Sequence, residues 1–333
     1  DIRDWSALRL EQITLDDCAH WHLHEGALHH DTGRFFSLRG MAGFMPQPDG
    51  TRGDAAMIDQ PEIGWLGFLV RPSDRGVDWL VQAKTEPGNV GQTHLAPSIQ
   101  ATRSNYRQAH GGRPTAFLDL FQNSDSFLSD APHSEQGSRF LWKFNRNSTL
   151  AIAAEDAPDL TDLRQWAWCS SAAMRAVLGH DLIVNTDARS VIATAPWALL
   201  SDGGAMFRSA TLAQSYLRQI PVHEFDRILR RIAPQHAKNT NRWQQKDLTQ
   251  LTSHHWSRDG LTDAEGDPVA GYFDVSVTGR EVDRWCQPFL MQRTHSAHHL
   301  LMRTGAQGAE VFVRLYDEPG FGPRREYGPS LHS

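Results

Sequence analysis

The sequence predicts a protein of mixed α and β structure in which one structural unit occurs twice. Apolar runs bounded by turn residues predict strands, and amphipathic runs that end at glycine predict helices. Part of the first half of the chain also returns later, since DWLVQAKTEPG at 78–88 corresponds to EVFVRLYDEPG at 310–320. The same offset of 232 positions relates Pro97-Ser98 to Pro329-Ser330. Self-similarity of this kind predicts a tandem repeat of one unit.

We place the first copy at residues 1–205. It opens with a short predicted helix at 13–21, where Thr14 is a helix cap and Asp17 follows three positions later. Residues 29–40 (HHDTGRFFSLRG) predict a turn that leads into a strand.

A β-hairpin follows. The apolar runs 63–71 and 77–84 flank the turn PSDRG, which is typical of two antiparallel strands. EPGN at 86–89 is a second turn, and 92–101 predicts a strand or an extended loop.

The rest of the first copy alternates between helical and extended patterns. In chain order these are predicted helices at 104–110 and 114–122, a strand at 138–144, a helix at 163–179 that ends at Gly179, and a turn before 184–195.

The second copy is placed at residues 206–333, with its first clear element near Ile220. The polar stretch 236–260 has no clear period and predicts a mobile insertion, whereas 271–279 and 310–320 predict strands. Because the chain stops just after the second Pro-Ser pair, we expect the second module to be incomplete here, and an exposed sheet edge favours a homodimer.

The composition excludes several classes of function. The net charge is −6 and no long basic run occurs, so no nucleic-acid partner is expected. No apolar stretch approaches the roughly 20 residues of a membrane span, and no apolar signal region opens the sequence, so no membrane partner is expected. The distant cysteines Cys18, Cys169 and Cys286 predict a reducing cytoplasmic location and no zinc site.

The first candidate for chemistry is Lys84 with Glu86, just before the turn at Pro87-Gly88. Residues two apart on a strand share a face, so these two side chains are predicted to enter one pocket, where they bind an oxyanion and accept a proton. The alternative is an exposed ion pair that contributes little. The second copy has Tyr316 in place of Lys84, which favours a site specific to the first copy.

A second candidate is the segment 100–110, QATRSNYRQAH. Arg103 and Arg107 are one helical turn apart, as are Tyr106 and His110. Arginines suit a diphosphate, and tyrosine and histidine suit proton transfer or stacking. A solvated helix face is the alternative.

Two further polar clusters predict contacts to anions. Lys143 and Arg146, with two asparagines, follow an apolar strand and could contact a phosphate or sugar hydroxyls; the alternative is a basic strand end. Asp187 could hold Arg189 for an anion, or form a structural ion pair with it.

Other sequence patterns give little evidence for a functional site. HWHLH at 20–24 places three histidines on one face of an extended segment, but nothing nearby completes a ligand set, so no metal is predicted. The sequence contains no GxGxxG, GxxxxGK[ST], GxSxG or HExxH motif, which removes support for nicotinamide, P-loop, serine-hydrolase and zinc-protease chemistry.

Taken together, the motifs resemble the NDP-hexose 2,3-dehydratases of deoxysugar and antibiotic biosynthesis. The resemblance is carried by HHDTGRFFSLRG (29–40), DQPEIGWLGFLV (59–70), VQAKTEPGN (81–89), LAPSIQATRSNYRQAHGG (95–112), SEQGSRFLWKFNRN (134–147), VNTDARSV (184–191), GREVDRWCQP (279–288) and EPGF with GPS (318–330).

This resemblance implies a fold and a reaction. The expected fold is a tandem repeat of two Nudix-like modules, each a mixed β-sheet flanked by helices, although the carboxylate box of the Nudix hydrolases is absent. The implied substrate is dTDP-4-keto-6-deoxyglucose, which loses water by β-elimination to give the 3,4-diketo-2,6-dideoxy sugar. No cofactor is implied, because the reaction involves no net oxidation.

The resemblance and the patterns together give hypothetical roles. Glu86 or Tyr106 is the candidate base, Lys84 the enolate stabiliser and His110 the acid. Phosphate contacts are expected from Arg103, Lys143, Arg146 and Arg189. Contacts to sugar or thymine are expected from Asn89, Gln100, Ser104, Asn105, Asn147 and Asp187, and the remaining candidates for substrate binding are Thr102, Arg280 and Trp285.

Two other functions remain open at this point. A nucleotide-sugar-binding protein of the same fold would bind the ligand without eliminating water. A Nudix-like diphosphate hydrolase would need Mg²⁺ and would release phosphate, but the missing carboxylate box disfavours it.

Overall fold

A computed structural model describes residues 7–46, 52–74, 76–102, 114–196, 198–201, 209–217, 222–238, 243–278, 282–291, 297–305, 308–322 and 324–332. The strands, numbered along the chain, are β1 (Leu8–Ile13), β2 (Trp21–His24), β3 (Ala27–His30), β4 (Ser37–Pro46), β5 (Arg52–Asp59), β6 (Gly64–Ser73), β7 (Gly76–Thr85), β8 (Thr93–Ala96), β9 (Ile99–Ala101), β10 (Phe127–Ser134), β11 (Phe140–Leu141), β12 (Phe144–Ala151), β13 (Trp166–Ser170), β14 (Trp243–Lys246), β15 (His254–Ser257), β16 (Gly260–Asp263), β17 (Pro268–Val277), β18 (Arg284–Leu290), β19 (His298–His299), β20 (Leu301–Gly305), β21 (Gly308–Phe312), β22 (Arg314–Tyr316), β23 (Glu326–Gly328) and β24 (Leu331–His332).

Within the described residues helices are fewer than strands. They are α1 (Leu118–Gln122), α2 (Ser171–Leu178), α3 (Thr186–Thr194), α4 (Ala198–Ser201), α5 (Ala210–Leu217), α6 (Val222–Lys238) and two short 3₁₀ helices at Leu248–Gln250 and Pro319–Phe321. The protein is therefore of mixed α and β structure, with strand predominant.

The largest sheet has the order β10-β12-β6-β7-β13, with β8 paired to β7 and β9 to β6. It is mixed, because β6 and β7 form an antiparallel hairpin while β12 lies parallel to β6. Alternate residues of β6 face opposite sides, as the period of a strand requires. Phe68 packs with Val191 of α3 on one side, and Leu69 packs with Phe121 of α1 on the other. Helices thus cover both faces, which explains why β6 is an almost continuous apolar run.

Two further sheets join the beginning of the chain to strands between residues 243 and 290. One has the order β11-β5-β4-β3-β2 with β14 paired to β4, and the other has β1-β17-β16-β15 with β18 paired to β17. Trp21 and Leu38 share a buried cluster with Leu261 and Tyr272, so these sheets enclose a common core.

The offset of 232 positions also relates the strand pairing of two hairpins. Val70 lies opposite Trp79 in the β6–β7 hairpin, and Met302 lies opposite Val311 in the β20–β21 hairpin. Gly76 and Gly308, which open the second strand of each hairpin, both have positive φ, at 102° and 125°, a region that favours glycine.

The equivalent buried serines make equivalent hydrogen bonds. Ser98 Oγ accepts from the N–H of Leu69 at 2.8 Å and donates to the carbonyl of Leu80. Ser330 Oγ accepts from the N–H of position 301 at 2.7 Å and donates to the carbonyl of position 312. The surroundings differ, because Leu69 and Leu80 are fully buried whereas their counterparts are 52% and 60% exposed.

Several predicted strands are confirmed. The hairpin of 63–71 with 77–84 is β6–β7, residues 92–101 contain β8 and β9, and 271–279 coincides with most of β17. The predicted strand at 310–320 is divided into β21 and β22, and the one at 138–144 is interrupted at Trp142, whose φ is 52°.

The helix predicted at 163–179 is wrong in its first half. Residues Trp166–Ser170 form β13, which pairs with β7, and α2 begins only at Ser171. The Ser170 side chain accepts a hydrogen bond from the N–H of Ala173 and caps that helix. Local pattern misses this boundary because sheet pairing, a long-range interaction, overrides propensity.

The helix predicted at 13–21 is also wrong. Thr14 Oγ1 donates to the Asp17 carboxylate at 2.8 Å inside a turn between β1 and β2, so the two side chains bind each other and do not cap a helix.

The polar stretch 236–260 is largely structured, contrary to the prediction of a mobile insertion. It contains the end of α6, β14 at the edge of a sheet, a 3₁₀ helix and β15, and it buries Leu248 and Leu251. The predicted helix at 114–122 is confirmed in part as α1, and the one at 104–110 lies outside the described residues.

None of the helices in the described ranges is long and apolar enough to cross a membrane. Nor do the described His, Cys, Asp and Glu side chains form a group that could hold a metal ion.

Candidate active site

A cleft of about 270 Å³ opens at one end of the large sheet. Its walls come from β6, β7, β9, the start of β12, the first turn of α3 and the loop between β10 and β12. The charged residues that line it are Lys84, Glu86, Glu135, Lys143 and Asp187. Two cations and three carboxyl groups in one concave site are typical of an active site.

Lys84 lies at the end of β7 and is only 7% exposed. Its ammonium donates to the carbonyl of Gln100 at 3.3 Å and lies 3.6 Å from Glu86 Oε1. The two-residue spacing on an extended chain brings both charges to the cleft. The ammonium is thus fixed by backbone and carboxylate, in a site where water screens its charge poorly.

A network of side-chain amides holds the Glu86 carboxylate in place. Gln100 Nε2 donates to Glu86 Oε1 at 3.1 Å, and Asn185 Nδ2 donates to Gln100 Oε1 at 3.1 Å. Asn185 Oδ1 in turn accepts from the N–H of Ala188 at 2.8 Å and caps α3. The start of α3 is therefore coupled to Glu86 through two amides.

The opposite wall contains Glu135 and Lys143. Asn145 donates to the Glu135 carboxylate, and the Lys143 ammonium donates to the carbonyl of Glu62. Burial raises the pKa of Glu135, although the hydrogen bond from Asn145 and the charge of Lys143 act in the opposite direction. Burial also lowers the pKa of Lys143, although the charge of Glu135 acts to raise it. Both groups are thereby shifted towards their neutral forms.

Asp187 is a carboxyl group of the cleft whose pKa is strongly raised. It lies in the first turn of α3. Burial raises the pKa of Asp187 to about 7, repulsion from Glu86 and Glu135 adds to this, and Lys84 and Lys143 oppose it. A carboxyl group that titrates near neutrality is suited to general acid–base catalysis.

The structure brings part of the predicted site together. The predicted residues that line the cleft are Lys84, Glu86, Gln100, Thr102, Lys143 and Asp187.

Other predicted residues lie elsewhere. Arg146 points to the opposite face of β12 from Lys143, where it pairs with Asp130 at 2.7 Å and lies over the Trp65 ring. Arg189 is exposed and donates to Thr186 at 3.2 Å.

Three more predicted residues are placed by the structure outside the cleft lining. Asn147 is 1% exposed, and its amide atoms have no partner among the described residues. Asn89 donates weakly to the carbonyl of Lys84 at 3.4 Å. Trp285 lies in β18 and donates to Gln287 at 3.0 Å. The predicted residues Arg103, Ser104, Asn105, Tyr106, His110 and Arg280 lie outside the described residues.

Sequence reasoning missed Glu135 and, of the two asparagines in its cluster, named only Asn147 as a candidate, although Asn145 is the one that lines the cleft. Glu135 and Asn145 both occur in the motif SEQGSRFLWKFNRN. The period of a strand places Lys143 and Asn145 on one face and Arg146 on the other. The spacing alone therefore predicts that Arg146 does not share a site with Lys143. The sequence analysis does not place Glu135 beside them because it does not predict β10, the strand that ends at Ser134 and pairs with β12.

The chain is similar to a defined family. A sequence model described as NDP-hexose 2,3-dehydratase matches residues 1–195. A dTDP-4-dehydro-6-deoxy-alpha-D-glucopyranose 2,3-dehydratase of Streptomyces violaceoruber is 31% identical, with 96% of this chain and 73% of the relative covered. Proteins of the same name from Saccharopolyspora spinosa (30%; 98% and 68% covered) and Amycolatopsis orientalis (34%; 61% and 47% covered) are also similar.

Proposed function

The chain belongs to the NDP-hexose 2,3-dehydratase family, and we propose that its cleft eliminates water from dTDP-4-keto-6-deoxy-D-glucose. The product is the 3,4-diketo-2,6-dideoxy sugar nucleotide, which makes the enzyme a hydro-lyase. The observation that carries the proposal is the fixed Lys84–Glu86 pair in one cleft with Asp187, a carboxyl group with a pKa of about 7. Together these three residues supply a cation, a carboxylate and a proton donor.

The steps of the reaction determine which chemical groups the active site must supply. The ketone at carbon 4 acidifies the hydrogen on carbon 3, and a base removes it as a proton to give an enolate. The electron pair then forms the bond between carbons 3 and 2, and the hydroxyl on carbon 2 leaves with a proton as water. The resulting enol at carbon 3 tautomerises to the ketone. No oxidant or reductant is consumed.

Lys84 is proposed as the group that stabilises the enolate. Negative charge develops on the carbon 4 oxygen, and a preorganised cation lowers the energy of that transition state. Burial and the bonds to Gln100 and Glu86 fix the ammonium before the substrate arrives.

Glu86 is proposed as the base. Its neighbours Lys84 and Gln100 both favour the carboxylate form, which a base requires. Tyr106, the other base that the sequence predicts, remains a prediction.

Asp187 is proposed as the acid for the leaving hydroxyl. Its raised pKa keeps a proton available near neutrality, and environments that separate the acidities of two carboxyl groups assign one as base and one as acid. His110, the acid predicted from the sequence, remains the alternative.

The proposed function has a direct test. The protein is incubated with dTDP-4-keto-6-deoxyglucose, the product is trapped with an aromatic 1,2-diamine that condenses with vicinal diketones, and the nucleotides are analysed by mass spectrometry. Loss of one water and a quinoxaline adduct are expected. A bound but unchanged sugar nucleotide would leave only binding, and release of dTMP would indicate diphosphate hydrolysis.

Lys84→Met is expected to lower kcat roughly 10²–10³-fold, because one preorganised donor at a developing oxyanion contributes about this much. Steady-state kinetics measure the loss, and calorimetric titration with dTDP tests whether the fold and nucleotide site persist. Lys246→Met is the matched control, since Lys246 pairs with Asp54 at 3.1 Å outside the cleft. Wild-type kcat in Lys84→Met would contradict the role.

We also propose that the chain is a tandem repeat of two Nudix-like modules, at 1–205 and 206–333. The matched registers of the β6–β7 and β20–β21 hairpins and the matched bonds of Ser98 and Ser330 support it. Superposition of an experimental structure of residues 64–101 on 296–333 would test it.

A cytoplasmic homodimer is proposed as the working form. Exposed apolar side chains on the β20–β21 hairpin, including Met302 and Phe312 at 44% and 60% exposure, offer surface for association. Light scattering across a concentration range tests the dimer.

A further inference from the structure

We propose that the turn at 318–321, far along the chain from the cleft residues, is a positioning element for the active site. It holds the loop at 135–143, whose two ends supply Glu135 and Lys143 to the cleft. Glu318 and Gly320 are then positioning residues that act through Glu135 and Lys143. The inference rests on the proposed function and deepens it.

Gly320 joins the turn to the loop by backbone contacts. Its N–H donates to the carbonyl of Gly137 at 2.6 Å, and its carbonyl accepts from the N–H of Trp142 at 2.9 Å. The approach is so close that a Cβ at position 320 would overlap the carbonyl oxygen of Phe140 and lie 2.7 Å from that of Gly137. Only glycine fits here without moving the loop.

Side chains reinforce the same contact. The Glu318 carboxylate accepts from the N–H groups of Gly137 and Ser138, and burial raises the pKa of Glu318. Ser134 donates to the Glu326 carboxylate at the other end of the segment. Carboxylate-to-amide bonds of this kind are charge-assisted and stronger than bonds between neutral groups.

The clamped loop leads directly to the cleft. The N–H of Glu135 donates to the carbonyl of Lys143 at 2.9 Å, which closes the loop at its base. Displacement of the tip at 137–142 is therefore transmitted to both cleft residues, since a loop closed at its base and fixed at its tip has little freedom between them.

The offset of 232 positions makes this turn the counterpart of the turn at 86–88. Both have the sequence Glu-Pro-Gly. In the first, Glu86 faces the cleft and a Cβ on Gly88 would meet no described atom within 4 Å; in the second, Glu318 binds loop amides and Gly320 is enclosed. One turn sequence thus holds a candidate catalytic group in one place and supports the opposite wall of the same cleft in the other.

The test compares Gly320→Ala with Gly88→Ala in the full chain. Gly320→Ala is expected to lower kcat roughly 10-fold or more, because small misplacements of catalytic groups cost large factors in rate. The dTDP dissociation constant and the far-ultraviolet circular dichroism, which reports secondary structure, are expected to change little. Gly88→Ala is expected to keep the wild-type kcat.

A second pair covers the case in which Gly320→Ala does not fold. Glu318→Gln keeps an acceptor oxygen for one loop amide, and Glu318→Ala keeps none, so Gln is expected to retain several-fold more kcat than Ala at equal dTDP affinity. Wild-type kcat in Gly320→Ala, equal kcat in the two Glu318 variants, or losses of kcat that parallel losses of dTDP binding would overturn the inference. Absence of turnover in the wild-type protein would instead refute the proposed function.

Discussion

Glu86→Gln is expected to lower kcat roughly 10²–10⁴-fold, the range that a positioned general base contributes. The carboxamide has the same size and can still accept the hydrogen bond from Gln100, so the variant removes basicity while preserving shape. Single-turnover kinetics with substrate deuterated at carbon 3 measure the effect. A primary isotope effect that grows in the variant is expected, because proton removal then becomes fully rate-limiting.

The control is Glu155→Gln. Glu155 is an exposed carboxylate in the turn after β12 and does not line the cleft, and its loss is expected to leave kcat unchanged. A wild-type rate in Glu86→Gln would eliminate Glu86 as the base and would favour Tyr106, the other base candidate.

The part of this site that local spacing determines was accessible from the sequence. Lys84 and Glu86 are two apart on an extended chain, which places both side chains on one face. The hairpin before them was equally predictable, because its two apolar runs and its turn are contiguous.

The remaining part depends on contacts between distant segments. Trp166–Ser170 becomes a strand because it pairs with β7, and the loop between Glu135 and Lys143 makes backbone hydrogen bonds to Gly320, far along the chain. Local propensity contains no information on either partner, so period and capping rules fail at these positions.

The charges of the cleft also explain why its chemistry was hard to assign from residue types. The spacing of Asp187 and Arg189 predicted either an anion site or an ion pair. In the structure Arg189 binds Thr186, and Asp187 faces Glu86 and Glu135 within the same cavity. A carboxylate partly removed from water beside two other carboxylates destabilises the fold even where lysines offset some of the repulsion, and such sites persist where function requires them.

Asp187→Asn is expected to lower kcat roughly 10²–10⁴-fold, because the leaving hydroxyl loses its proton donor. The pKa of about 7 adds a pH signature. If Asp187 acts as the protonated acid, wild-type kcat/KM falls as pH rises through 7, and the residual activity of Asp187→Asn lacks that decline. Asp119→Asn is the matched control, since Asp119 is an exposed aspartate in the first turn of α1.

The same substitution is expected to stabilise the fold, which separates a catalytic loss from damage to the structure. In the folded protein Asp187 keeps its proton up to about pH 7, whereas the ordinary pKa, taken for the unfolded chain, is 3.8. The folded state therefore binds more protons than the unfolded state between these pH values. As a result, wild-type stability falls as the pH rises from about 4 to 7 and stays lower above pH 7. The free energy of unfolding of Asp187→Asn is therefore expected to exceed that of wild type at pH 8, by at most roughly 4 kcal/mol, and to match it near pH 4. Urea unfolding at both pH values measures the difference. A variant that is inactive and less stable at pH 8 would mean that the carboxylate supports the structure of the cleft, and the assignment of Asp187 as the acid would then fail.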